Sequence, residues 1–189
     1  LLLATMFFGL ISYFMVSPVS QTYQIDLGIP SAVAVSAVML GSIVNAGARL
    51  VLPTLADKVG RIVCIKGVLI VAVIAMGVLA VSRSLAVTVA VVLMYGCYGG
   101  IMGSFPSLTS SIFGMKHTGE NYGFVMFGIV FATFGAPAIS GLVSSNGYEM
   151  NVVFGIGAVF AVIAFVCLTL LGRNLVKEHA EKSVGAKKG

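Results

Sequence analysis

The sequence predicts an all-α membrane protein, a six-transmembrane-helix bundle. Three observations predict it. Apolar residues make up 59% of the 189 residues and charged residues only 9%, with a mean hydropathy of +1.09; soluble domains carry about 25% charge. Apolar stretches long enough to cross ~30 Å of hydrocarbon recur between short polar breaks. The basic residues collect on alternate breaks, which is how a chain that crosses repeatedly is oriented. Barrel strands would be shorter and would alternate apolar with polar residues, a pattern this chain lacks.

The spans follow from length and breakers. The first, 1–21, gives way to Gln21–Pro30, which contains Asp26 and Gly28. The second, 31–55, ends in the charged stretch Ala56–Arg61. The third, 62–81, stops at Ser82–Ser84 around Arg83, and the fourth, 85–105, stops at Pro106. The connection Pro106–Asn121 leads to the fifth span, 122–144, and Ser145–Met150 leads to the sixth, 151–172. Residues 1–172 are expected to form one transmembrane unit and 173–189 a polar tail. The chain opens on Leu1-Leu2-Leu3, already inside an apolar segment and without an initiating Met, so it reads as an internal part of a longer protein.

Of the 11 Lys and Arg residues, nine fall on one side: Lys58, Arg61, Lys66, Lys116, Arg173, Lys177, Lys182, Lys187 and Lys188. Arg83 falls on the other side and Arg49 lies within a span. The positive-inside rule then runs the first helix outward and places the C-terminus in the cytoplasm. The expected location is a bacterial plasma membrane, as a multi-pass integral protein. Topology accounts for the net charge of +5, so nucleic acid is not an expected partner. The bilayer is, and the tail lysines would meet anionic lipid at ~1 kcal/mol each. Cys64, Cys97 and Cys167 sit in apolar segments without metal-ligand spacing, and His117 and His179 pair with nothing obvious. No metal and no cofactor are expected. There is no Ser/His/Asp cluster, HExxH or phosphate loop, so an enzyme is not expected.

The sharpest feature is Arg49. A charge at a helix centre costs roughly 2.5–3.5 kcal/mol to insert. A rise of ~1.5 Å per residue puts Arg49 about 10 Å inside the cytoplasmic edge. The planar guanidinium fork matches a carboxylate, yet Asp26, Asp57, Glu120, Glu149, Glu178 and Glu181 all lie in connections or tail. The missing carboxylate then belongs to a solute, with Asn45 one turn away to orient the guanidinium. The alternative is an arginine that snorkels to the interface or pairs with backbone carbonyls.

Downstream of Arg49, the stretch Asp57-Lys58-Val59-Gly60-Arg61 resembles the charged loop signature of the major facilitator superfamily, with Pro53 where that signature has its leading Gly. The run Tyr95-Gly-Cys-Tyr98-Gly99-Gly100, then Pro106-Ser-Leu-Thr, Phe113-Gly-x-Lys116, Asn121-Tyr122-Gly123 and Gly135-Ala136-Pro137, resembles the tenth and eleventh helices of the oxalate/formate antiporter family, a branch related to monocarboxylate transporters. The resemblance covers most of residues 31–145. It implies that the six spans are the C-terminal half of a twelve-helix carrier whose N-terminal half is a missing partner. Substrate would sit between the halves near the midplane. The resemblance further implies that the first, second, fourth and fifth spans line the cavity, and the third and sixth face lipid. It makes Asp57 a partner for the positive end of a neighbouring helix and Arg61 a partner for acids or carbonyls. It puts Arg49 where carriers of this type have an arginine. Asn45 stands where monocarboxylate carriers have an Asp linked to proton coupling. Oxalate carriers of the family have a lysine in the eleventh helix, and an ungapped count brings Ile129 there. One cation suits a monoanion better than a dianion.

Aromatic residues complete the candidate site. Tyr95 and Tyr98 are three apart on one face, and Tyr13 lies mid-helix in the first span. Phe124, Phe127, Phe131 and Phe134 form a stripe at helical spacing, read as packing or lipid contact or, for Phe127, cavity lining. The favoured function is a secondary transporter of small organic anions working by alternating access. Asp57, Lys58, Gly60, Arg61, Asn121, Tyr122 and Gly123 would serve as gating or structural loops. The alternatives are a carrier of a drug, sugar or amino acid on the same scaffold, and a membrane subunit that does not transport.

Overall fold

The computed structural model describes the backbone of residues 1–185 and the side chains of 1–177, and these residues form seven α-helices and no strand. Helices α1 (Leu2–Val16) and α2 (Ser20–Asp26) make one span broken by a 47° bend. The bend falls at Ser17-Pro18, where the proline ring offers no N–H and crowds the preceding turn. Four long helices follow: α3 (Ser31–Val59), α4 (Arg61–Val81), α5 (Ala86–Phe113) and α6 (Thr118–Ser145). The last, α7, runs from Met150 to Gly185. Five helices are long and apolar enough to cross a membrane, and the bent pair passes the same test when its two helices are counted as one span.

The expected spans are present, but the helices outrun them. The second span continues through Pro53, so Asp57 and Lys58 occupy the last turn of α3 and the expected connection Ala56–Arg61 shrinks to Gly60. Gly60 turns the chain at φ +106°, a conformation that side chains with a Cβ rarely adopt. The fourth span continues through Pro106 to Phe113, and α6 already begins at Thr118. Asn121, Tyr122 and Gly123 therefore stand in the first turns of a helix and not in a loop. The sixth span, in α7, passes the expected boundary at 172 without a break. The tail lysines Lys182, Lys187 and Lys188, with Glu178, His179 and Glu181, lie outside the described side chains. The physical reason is common to all these cases. Polar residues mark where hydrocarbon ends, whereas a helix ends only where its backbone finds other partners.

The helices alternate in direction. α3 and α5 run parallel, with Gly41 against the Tyr95 ring, Gly99 against the Asn45 backbone and Gly103 against that of Arg49. α1 runs parallel to α6, where Gly128 meets the backbone of Leu3 and Phe7. α1 runs antiparallel to α7, and the buried Ser12 hydroxyl donates to the Gly157 carbonyl at 2.8 Å. α4 and α7 are antiparallel, with Met76 at Gly157 and Ile62 at Gly172. Lipid tails are as apolar as leucine, so association rests on close packing and small residues, which these crossings supply. The core is filled by Met6, Leu10 and Met15 of α1, Leu69 and Met76 of α4, and Phe105 of α5. The exposed faces of α4 (Val63, Ile70, Ile74, Val81) and of α7 up to Leu170 (Val159, Val162, Val166) are apolar. The least buried spans are α3 and α6.

Two substitutions test this packing. Gly60→Ala forces a Cβ into the positive-φ turn and is expected to cost about 1–3 kcal/mol, read as a lower melting temperature of the purified protein in detergent. Gly99→Val places side-chain atoms onto the Asn45 backbone and is expected to destabilise by about 1–3 kcal/mol. Gly67→Ala, where a Cβ meets nothing within 4 Å, should leave the melting temperature unchanged. Equal shifts for Gly99→Val and Gly67→Ala would disprove the close α3–α5 seam.

Candidate functional site

Arg49 and Asn45 lie one turn apart on α3, and their side chains meet. The Arg49 Nε–H donates to Asn45 Oδ1 at 3.1 Å. Guanidinium carries five N–H donors, so this bond fixes the plane of the fork and leaves its two terminal nitrogens for another partner. That partner is not a carboxylate of the described residues. The described ion pairs are Arg61–Asp57 at 3.2 Å, Arg83–Glu149 at 2.8 Å and His117–Glu120 at 3.2 Å.

Beneath the guanidinium lies an aromatic floor. The Arg49 Cζ is 5.5 Å from the Tyr98 ring centroid, within cation–π range. Tyr98 stacks on Tyr13 at 4.2 Å with the planes 15° apart. Tyr13 meets Tyr95 edge to face at 5.3 Å, and Phe14 meets Tyr98 at 5.9 Å. The Tyr95 and Ser20 hydroxyls lie 3.4 Å apart. Tyr13 and Tyr95 are buried, Tyr98 and Asn45 are half-buried and Arg49 is exposed. The cation thus stands at the surface of the bundle over a ring stack rooted in its core. Tyr122, in the second turn of α6, is within Coulombic reach of Arg49 and Tyr98. Helices α1, α3, α5 and α6 all contribute to this face.

Close approach of α3 to α5 places the cation. An ideal Cβ on Gly103 would lie 2.8 Å from the Arg49 carbonyl oxygen and 3.1 Å from the Pro53 ring. Pro53 has no N–H, so the Arg49 carbonyl lacks its helical donor. Gly103 lets α5 come against that bare carbonyl, and the approach brings Tyr98 under Arg49.

The structure therefore brings together Arg49, Asn45, Tyr98, Tyr95 and Tyr13. Phe127 stands apart. Its ring neighbours are Phe124 at 6.4 Å and Phe131 at 6.5 Å, in an exposed stripe on α6. In the charged turn Arg61 pairs with an acid: it donates to Asp57 across Gly60, an i,i+4 pair on the surface, and Asp57 makes that contact in place of one to the positive end of another helix. Such an exposed pair contributes ~0–1 kcal/mol. Lys58 is exposed in the last turn of α3, and Gly123 faces open space. Phe14, Ser20 and the closeness of Tyr122 escaped the sequence reading. The only signal for Phe14 was its place beside Tyr13, and the Ser20 contact depends on the bend between α1 and α2.

An apolar cavity of about 480 Å³ lies elsewhere, between α3, α4 and α5, lined by residues such as Leu52, Val63, Cys64, Leu93 and Cys97. It includes no charged residue and offers nothing to hold an ion. Among the described residues no group of three or more His, Cys, Asp or Glu side chains is placed to hold a metal.

The sequence model of the Major Facilitator Superfamily matches residues 1–131. The protein described as uncharacterized MFS-type transporter YhjX of Escherichia coli strain K12 is 36% identical over 97 residues, which is 50% of this chain and 24% of that protein. The oxalate:formate antiporter of Oxalobacter formigenes is 26% identical over 155 residues, 80% of this chain and 37% of the antiporter. The chain spans well under half the length of either relative. With a family match over residues 1–131 and a bundle of membrane-length helices, the chain belongs to the Major Facilitator Superfamily, and an oxalate:formate antiporter is among its relatives there.

Proposed function

We propose that this chain is the C-terminal half of an alternating-access carrier for small organic anions, with monocarboxylates as the favoured class. One observation carries the reading. Arg49, oriented by Asn45 over the Tyr98–Tyr13 stack, presents unpaired guanidinium donors on a face shared by four helices. A solute carboxylate would dock on the terminal nitrogens in two parallel bonds. The small organic remainder would lie against the tyrosine rings, whose carbon surface keeps water away and strengthens the field of the cation. An N-terminal half would close over this face. The basic end, with Lys58, Arg61 and Lys116, would face the cytoplasm of a bacterial plasma membrane.

Charge count selects the solute. Arg49 is the one cation set within the apolar length of α3, and by the resemblance half-buried Ile129 stands where oxalate carriers have a second cation. The distant likeness to an oxalate:formate antiporter supports the carboxylate class. A monocarboxylate neutralises Arg49 one to one.

Charge also bears on coupling. The acidic side chains Asp26, Asp57, Glu120 and Glu149 stand at helix ends or in connections, so none is placed to relay a proton beside Arg49. An empty site must carry its bare cation through the closed state, at roughly 2.5–3.5 kcal/mol. That penalty slows the empty return about a hundredfold relative to the loaded one. Exchange of one anion for another avoids it.

Two measurements test the proposal in the full-length carrier. Arg49→Gln is expected to abolish carboxylate uptake while membrane insertion is retained, and Arg49→Lys to raise KM about tenfold by losing the fork. Normal saturation by Arg49→Gln would remove Arg49 from the site. In proteoliposomes, a monocarboxylate trapped inside should accelerate entry of labelled monocarboxylate about a hundredfold. Stimulation by a neutral or zwitterionic solute instead would favour a sugar, drug or amino-acid carrier.

A further inference from the structure

A second cationic feature lies on the outside of the bundle, away from Arg49. Near the basic end, α4 and α7 part to leave a cleft of about 480 Å³. Three cations, Lys66, Arg173 and Lys177, line it together with Ile62, Gly172 and Val176. Among the described residues, no carboxylate lies within ion-pair distance of these three. The Lys66 ammonium sits 6.0 Å over the Phe165 ring of α7, which holds it at the cleft between the two helices. α4 begins at Arg61 without a side-chain cap, so the unpaired N–H groups of its first turn add to the positive field. Gly172 faces Ile62 with room for a Cβ at 3.5 Å, which leaves the mouth open between the backbones.

The surface next to the cleft is of the opposite kind. Ile70 and Ile74 stand one and two turns on from Lys66 along α4, and Val166 and Val162 two and three turns before Arg173 along α7. All four are exposed. A ligand that fits must be anionic at one end and apolar over the adjoining length. Free phosphate meets only the first requirement.

We propose that the α4–α7 cleft binds the phosphate headgroup of an anionic phospholipid, whose acyl chains lie along the apolar face of the two helices. This inference is independent of the role of Arg49. Basic pockets between membrane helices favour anionic headgroups through the summed attraction of each cation.

The test is native mass spectrometry of the purified full-length carrier equilibrated with phosphatidylglycerol or phosphatidylcholine. The triple variant Lys66→Gln, Arg173→Gln, Lys177→Gln is expected to lose phosphatidylglycerol retention by about tenfold or more. The variant Lys58→Gln, Lys116→Gln removes two charges from the same end outside the cleft and should retain the lipid. The charge-keeping variant Lys66→Arg, Arg173→Lys, Lys177→Arg should also retain it, which separates a binding defect from a folding defect. Equal loss in the cleft and control variants, loss in the charge-keeping variant, or retention in the triple variant would overturn the site. Displacement of phosphatidylglycerol by inorganic phosphate would overturn the lipid assignment in favour of a free anion.

Discussion

Everything on the face that bears Arg49 depends on how closely α5 approaches α3. Gly99 and Gly103 press against the backbone of Asn45 and Arg49, the two residues whose side chains meet above. A methyl at either position has no room, so the glycines are required there by contact and not by conformation. The crossing is parallel, and each turn of one helix faces a turn of the other. The glycines set the gap, the gap puts Tyr98 below the guanidinium, and Tyr13 from α1 supports Tyr98 in turn. Three helices from separate parts of the chain thereby fix one charged group.

The group they fix is held by weak contacts. One neutral acceptor and one ring face orient Arg49 without neutralising it. A carboxylate of the protein in the same place would have satisfied the charge and left nothing for a solute. The amide at position 45 instead takes one N–H and lets the rest of the fork stand open. Binding strength at such a site scales with the dryness of its surroundings, since the same pair of charges attracts far more strongly away from water. In the proposed site the tyrosine stack would act mainly through that exclusion.

Most of the architecture was legible in the sequence because the bilayer makes it so. Hydropathy gave the six crossings, and the distribution of Lys and Arg gave a basic end, which the structure assembles from Lys58, Lys66 and Arg173 on three different helices. The meeting of Asn45 with Arg49 followed from their spacing of four residues on one helix. What remained hidden depends on tertiary placement. The sequence offered three tyrosines, and only the packing of α1 on α5 turns them into one stack. It also offered Asp57 and Arg61 as a loop, because the charges after residue 55 look like an ending. The helix passes through Pro53 since only one hydrogen bond is lost there, and Asp57 then lies one turn from Arg61. Phe127 belonged to a convincing stripe, but a stripe says only that residues share a face and not which neighbour that face meets.

The single residue between α3 and α4 has a mechanical consequence. A chain covers at most ~3.3–3.6 Å per residue, so with Gly60 alone between Val59 and Arg61 there is no slack to absorb relative sliding. The helix bearing Arg49 and the helix bearing Lys66 are joined end to end through one residue, so their facing ends cannot separate.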